Sequence, residues 1–281
     1  MAAPQPQDDA TLGFTRKEMY SEALAGTAKA TIARHLCMAW GKAEEWPPQV
    51  PDDFPAESLP KKVEAIVAEA GKATGEKLRV TYIEASKSVK EGDVLVFPDY
   101  VKVSAQSAAG LGALKNYLSK KRVPGQQRCI EDVEDLDTGF LLVCAHTSRD
   151  ARCGFCGPKL VEAFEQKGVA DSANLQVLKC SHVGGHVYAG NVISYSGKGT
   201  PENEDGHWYG YVKPEDAACV AAGKAVRSNL WRGRLGLSEA GAKKERKMQR
   251  LKESALILGF VAVAGVAVTA LLMRKKKTSS Q

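Results

Sequence analysis

The opening residues, "MAAPQPQDDATLGF", lack both the basic start and the apolar core of a secretory signal. The seven cysteines are odd in number and follow no regular framework spacing, which argues against a disulfide scaffold. They suit a reducing compartment, with thiols present for chemistry or packing. The body also lacks a basic surplus. Residues 242–281 hold ten of the 39 Lys/Arg and two of the 33 Asp/Glu, leaving 29 basic and 31 acidic residues upstream of a chain whose total charge is +6. A nucleic-acid footprint on the folded body is therefore not expected.

At 281 residues and 44% apolar content, the chain is long enough for two domains and some extra. Residues 1–13 are polar and proline-containing, and are expected to be disordered. The next unit, 14–123, contains the mixed apolar stretch "EALAGTAKATIARHLCMAWG", a Pro-rich loop "EEWPPQVPDDFP" and a helix-patterned "ESLPKKVEAIVAEAGKATG". Two strand-like runs, "KLRVTYIEA" and "GDVLVFPDYVKV", and a second amphipathic helix, "AAGLGALKNYLSKKR", complete it. Residues 124–138 read as an acidic linker. Over 139–236 the rhythm restarts: strand "GFLLVCAH", a helix "GPKLVEAFEQKG" with Pro158 in its first turn, strands "LQVLKCSH", "NVISYSG" and "HWYGYV", and a closing helix. The repeated order predicts an α/β (α+β) fold of two tandem thioredoxin-like domains.

Residues 237–254 read as a basic juxtamembrane helix, and "ALILGFVAVAGVAVTALLM", 255–273, as a transmembrane helix followed by a basic tail, 274–281. Nineteen uncharged residues as a helix span roughly 28 Å, close to a bilayer core. The expectation is a C-terminal tail anchor with the body in the cytosol. Its Ala/Val-rich composition favours a mitochondrial or plastid outer membrane, with endoplasmic reticulum and peroxisome as alternatives.

The chemistry is concentrated in "CAHTSRDARCGFCG" and "CSHVGGHVYAG". Cys144 ends a buried strand, Cys153 precedes a helix start, and His182 and His186 follow the next strand, so all four converge on one edge of a sheet. The unpaired N–H groups of a helix start favour a thiolate at Cys153. Gly184 and Gly185 let the backbone turn sharply beside a bulky centre. Three chemistries fit these residue types. "CGFC" has the C-x-x-C form of thiol–disulfide exchange through Cys153 and Cys156, but the facing segment "KCSHVGGHV" carries histidines where a proline is expected. Two thiolates and two imidazoles also make a structural zinc site. The third candidate is a 2Fe-2S cluster. Replacing two thiolates by neutral imidazoles removes two negative charges, which makes an added electron less costly and raises the reduction potential.

From about residue 14 to 236 the chain resembles the sucrase/ferredoxin-like family of thioredoxin-like ferredoxins, particularly its plant and algal type. The blocks "FTRKEMYSEALAGTA", "WPPQV", "GDVLVFPD", "CAHTSRDARCGFCGP", "CSHVGGHVYAGN", "HWYGYVKPED" and "LWRGRLG" carry the resemblance. It implies that the second domain holds a 2Fe-2S cluster through Cys144, Cys153, His182 and His186, with Cys156 and Cys180 as alternative ligands. It also implies a carrier exchanging electrons with a redox protein, rather than a turnover enzyme. Sucrose hydrolysis needs two carboxylates flanking a sugar, and the acids here cluster in "EDVEDLD" and "PENEDG". Around the ligands, His146 is a candidate hydrogen-bonding support, Arg149 and Arg152 a candidate partner surface, and Trp208 a candidate shield. His35 and Cys37 have no partners at ligand spacing, and Cys129 and Cys219 read as packing residues.

Overall fold

The computed structural model describes residues 6–19, 23–123, 131–166, 168–169, 173–201, 204–251 and 254. Ten strands form one sheet in the order β10-β9-β8-β6-β7-β2-β1-β3-β4-β5. The first half supplies β1 (Arg34–Ala39), β2 (Leu78–Ile83), β3 (Asp93–Phe97), β4 (Val101–Ser104) and β5 (Val133–Asp135). The second supplies β6 (Gly139–Cys144), β7 (Leu175–Cys180), β8 (Val192–Tyr195), β9 (His207–Tyr209) and β10 (Trp231–Arg234). Each half pairs its first two strands in parallel and then adds antiparallel neighbours on the other side of the first strand. The parallel pairs are bridged by α2 (Leu59–Thr74) and α4 (Ala151–Gln166); α3 (Ala108–Leu118) packs beside α2. All residues of β1 and β6 are buried, as expected of central strands paired on both edges.

The halves meet edge to edge where β2 runs antiparallel to β7, with Ile83 opposite Cys180. One residue further on, the Ser181 amide donates to the Tyr82 carbonyl (2.7 Å) and the Tyr82 amide donates to Ser181 Oγ (2.9 Å). The core is continuous across this seam: the rings of Phe97 and Tyr195 stack at 3.8 Å with 6° between their planes. The expected pair of tandem domains is therefore corrected to one ten-stranded mixed α/β body. Among the described residues no helix is long and apolar enough to cross a membrane. Residues 255–273, where the anchor was expected, lie outside the described residues. The described residues thus supply no spanning element, and the tail-anchored location is corrected with it.

Other boundaries move for local reasons. Part of the expected linker is ordered as β5, which pairs with β4 through Val103 and Val133. Within the expected disordered terminus, Pro6–Thr11 form a short helix, α1. The strap after it is pinned by buried Arg16, whose guanidinium donates to the carbonyls of Leu12, Gly13 and Ala189. Helix α4 begins seven residues before Pro158 rather than at it. Asp150 accepts from the Arg152 amide at 3.0 Å and caps the earlier start, leaving Pro158 inside the helix. A helix over 239–251 follows β10, and Ala242 on it is buried against the second half. Cys219 is exposed rather than packed, and Cys129 lies outside the described residues.

His35 stitches the halves together: Nδ1 pairs with Tyr195 Oη and Nε2 with Thr81 Oγ1, both at 2.7 Å. Burial, helped by the Arg79 charge, pulls its pKa down to about 3, and burial lowers that of His207 to about 4. Both are neutral in the folded protein at pH 6, whereas the unfolded chain protonates them as pH falls through about 6.5. Their stabilisation is complete above that pH and is lost below it. Between about pH 6 and 5 urea titrations are expected to show stability falling by roughly 1 kcal/mol per pH unit for each histidine. His35→Gln should remove one such contribution; an unchanged slope would contradict the assignment.

Candidate metal centre

Cys144 is the last residue of β6 and lies level with Cys180, the last residue of β7, in a parallel register. The loop after β6 leads directly into α4, whose first turn carries Cys153. Close packing of this helix on the strand end sets the distance between the two thiols. A Cβ on Gly157 would lie 2.6 Å from the Cys144 carbonyl oxygen and 2.7 Å from Ala145 Cα, so only glycine permits the approach. On the other side, His182 leaves β7 in a loop where Gly184 and Gly185 adopt left-handed φ values of 89° and 75°.

These elements bring one donor atom each from Cys144, Cys153 and His182 to within 4.8 Å of one another. Both sulfurs are buried and His182 is half-buried. His182 Nδ1 is buried and has no hydrogen-bond partner. An orphaned imidazole nitrogen is costly unless a ligand takes its lone pair or proton. Two thiols and an imidazole form a donor set suited to zinc or iron, so the residues present can hold a metal.

His186 is exposed and stands outside this trio, with its ring centroid 5.6 Å from that of His182. Cys180 is buried one strand away, where burial raises its pKa. Cys156 is turned towards the N-terminal strap: Arg16 Nη1 lies 3.4 Å from its sulfur, and the thiol donates to the Leu12 carbonyl. Neither joins the trio. Cys153 and Cys156 are both fully buried, which gives thiol exchange with a partner no access.

The expected thiolate at Cys153 is displaced to its neighbour. Cys153 donates to the Cys144 sulfur, and His182 and the Val183 amide reinforce the charge there, so the pKa of Cys144 falls well below the usual thiol range. Cys153, as the donor and buried, is pushed up. Metal binding at this pair would require both thiols to be deprotonated.

The Suc_Fer-like family model, described as sucrase/ferredoxin-like, matches residues 24–233. The chain belongs to the sucrase/ferredoxin-like family. Among its relatives are proteins named "Altered inheritance of mitochondria protein 32". That of Saccharomyces cerevisiae is 32% identical over 160 residues, covering 52% of this chain and 48% of the relative. The Meyerozyma guilliermondii protein is 42% identical over 94 residues, 32% of each chain, and that of Debaryomyces hansenii 37% over 97 residues, 34% of each. The match thus spans about half or less of these relatives' length. No solved structure matches.

In this family member, supports reach the site from both halves. His146 accepts from the His182 amide through Nδ1 (3.2 Å) and donates from Nε2 to the Pro47 carbonyl (2.9 Å), which fixes its tautomer. Trp46 packs edge-on against its ring. Arg232, buried, donates to the Gly184 carbonyl (3.1 Å) and Asn191 Oδ1 (2.6 Å), while Asn191 donates to the Gly185 carbonyl (2.9 Å). A Cβ on Gly185 would lie 2.3 Å from Arg232 Nη2. Arg79, on β2, donates to the His182 carbonyl at 3.3 Å and stacks 5.4 Å over Trp208. Trp208 is fully buried and its Nε1 has no hydrogen-bond partner. Arg149 is exposed, whereas Arg152 is held by Asp150.

Arg79, Arg232, Asn191 and the Trp46–Pro47 loop escaped the sequence reading. The matched blocks "LWRGRLG", "CSHVGGHVYAGN" and "WPPQV" contained Arg232, Asn191 and Trp46–Pro47 without assigning them a role, and nothing in "KLRVTYIEA" distinguishes Arg79 from any polar residue on a strand. Elemental analysis of purified variants is expected to show metal lost in Cys144→Ser, Cys153→Ser and His182→Ala and retained in Cys156→Ser and Cys180→Ser. His146→Ala should weaken metal retention against a chelator by roughly 10–100-fold. Equal retention by His146→Ala and the parent would remove His146 from the site.

Proposed function

We propose that the protein is an electron carrier in which Cys144, Cys153, His182 and His186 hold a 2Fe-2S cluster. The observation that carries this reading is the convergence of Cys144, Cys153 and His182 around a buried imidazole nitrogen without a partner. His186 stands beside it as the available fourth donor. Such a cluster, when bound, supplies one-electron chemistry. The chain's own residues set the conditions. Cys144 and Cys153 form the buried, water-excluded side of the site, and exposed His186 forms the side nearest solvent, where a donor or acceptor protein can approach. His146 orients His182 through its backbone, and the Val183 amide hydrogen-bonds the Cys144 sulfur. Arg79 places a positive charge near Cys144, favouring the more negative, reduced state.

No pair of carboxylates is needed for this role, and the protein works as a carrier for an unidentified redox protein rather than as a turnover enzyme. The relatives' names refer to inheritance of mitochondria, which supports a mitochondrial link. A second reading, a single structural zinc, is favoured by the closeness of the three donor atoms, which suits one tetrahedral ion completed by His186 or water.

Anaerobically purified full-length protein is expected to be coloured, with about two irons and two sulfides per chain, bleached by dithionite and giving a paramagnetic resonance signal on reduction. A colourless protein with one zinc would replace the carrier reading by the structural one. In the coloured protein, Arg79→Met should lower the reduction potential while leaving the iron content unchanged; an unaltered potential would show that the Arg79 charge does not tune the site.

A further inference from the structure

The exposed side of the metal centre opens into a cleft of about 410 Å³ that neither the ligands nor their supports explain. Lys29, Lys77 and Arg79 line it from the first half, and Arg149, His182 and His186 from the second. No carboxylate lines it. Lys29, Lys77 and Arg149 are exposed, and among the described residues none of them is within ion-pair distance of an acid. Two nearby acids are already engaged: Asp150 is gripped by Arg152 at 3.0 Å, and Glu239, along an adjoining groove, by Lys243 at 2.7 Å; Asp52 lines a separate pocket on the other side of Arg149 and His182.

This concentration of charge is local, because the sequence upstream of residue 242 carries 29 basic and 31 acidic residues. Lys29, Lys77 and Arg149, three exposed cations gathered without a carboxylate beside them and with Arg79 behind them, repel one another, and that repulsion is relieved when an anionic surface covers them. The cleft is open rather than enclosed, unlike a pocket that buries most of a small ligand. It also sits on the two imidazoles, the part of the site nearest solvent. Small, weakly bound encounter surfaces of this kind are typical of electron-transfer partners, with charge setting orientation and on-rate.

We infer that this cleft is the docking surface for the acidic face of a redox partner protein. The inference rests on the electron-carrier reading, for which it supplies the kind of partner and the point of contact. Residues from both halves build the surface, so a partner seated there bridges the seam.

The test uses the full-length chain and two probes with the same haem and opposite surface charge, native cytochrome c, which is basic, and succinylated cytochrome c, which is acidic. Equilibrium affinity for each is measured at about 20 mM and about 300 mM salt, where screening lengths differ several-fold. The succinylated form is expected to bind at least about tenfold more tightly at low salt, with the preference collapsing at high salt. Lys29→Glu/Lys77→Glu/Arg149→Glu should abolish or reverse the preference, while Lys62→Glu/Lys87→Glu/Lys90→Glu, an equal charge change elsewhere, should leave most of it. Loss of the preference in both triple variants alike would assign it to net charge and overturn the proposal. So would equal affinity for the two cytochromes, or displacement by inorganic phosphate but not by chloride at matched ionic strength, the last assigning the cleft to a small anion. Because binding is read without electron transfer, the two readings fail separately. Charge-selective binding by an iron-free protein would sink the carrier alone, and a coloured protein without selectivity would sink the docking surface alone.

Discussion

The placing of the histidine loop at the candidate metal centre depends on the antiparallel contact between β2 and β7. Strand β7 is held in register with β6 on one side, which levels Cys180 with Cys144, and meets β2 on the other, which sets Ile83 opposite Cys180. Because β2 runs backwards relative to β7, it continues alongside the loop that carries His182 after β7 has ended. Arg79 therefore reaches the His182 carbonyl from the other half of the molecule. A slip of one residue would turn Arg79 to the opposite face and misalign the paired Tyr82 and Ser181 groups. The seam thus assembles the site as well as joining two sheets.

Cations reach the site from three elements: Arg79 from β2, Arg232 from β10 and Arg16 from the N-terminal strap. Arg79, Arg232 and Arg16 bring guanidinium groups into the body close to cysteine sulfur, and burial pulls the pKa of Arg232 down to about 10. A buried guanidinium is tolerated when carbonyls and negative charge satisfy it. Arg232 is met by Gly184, Thr27 and Asn191, Arg16 by carbonyls of the strap, and Arg79 by His182 and the face of Trp208. What remains of their field falls on the thiolate side of the trio, where it favours negative charge on Cys144 and on whatever metal group the two sulfurs share.

Much of this was legible in the sequence because it is written in local signals. The central strands appear as unbroken apolar runs such as "GFLLVC", α2 as a periodic helix closed by Gly75, and the donors as cysteine and histidine spacings. The misses have a different physical origin. Helix α4 starts at Ala151 because Asp150 caps it, and the capping signal was outweighed by Pro158. Hydrogen bonds from Cys153, His182 and the Val183 amide lower the pKa of Cys144, whereas burial and the same bond raise that of Cys153, so tertiary contacts outweigh helix position. The single sheet was hidden for a stronger reason: edge-to-edge pairing between remote strands leaves no periodicity, and the repeated element order reads equally well as two separate units.

The repeat itself explains the division of labour. Matching the last pair of each parallel ladder sets Ala39 and Ile83 of the first half against Cys144 and Cys180 of the second. At the position that follows the second strand, Glu84 and Ala85 stand where Ser181 and His182 stand in the other half. The first half therefore offers no donor at the places of Cys144 and His182, and His35 and Cys37 lie deeper within β1, with His35 committed to Tyr195 and Thr81. Its contribution is made across the seam instead: the Pro47 carbonyl fixes the tautomer of His146, Arg79 steadies and charges the histidine loop, and Lys29 and Lys77 frame its exposed edge. A half that contributes no residue to the Cys144–Cys153–His182 trio thus shapes the geometry and the electrostatics around it.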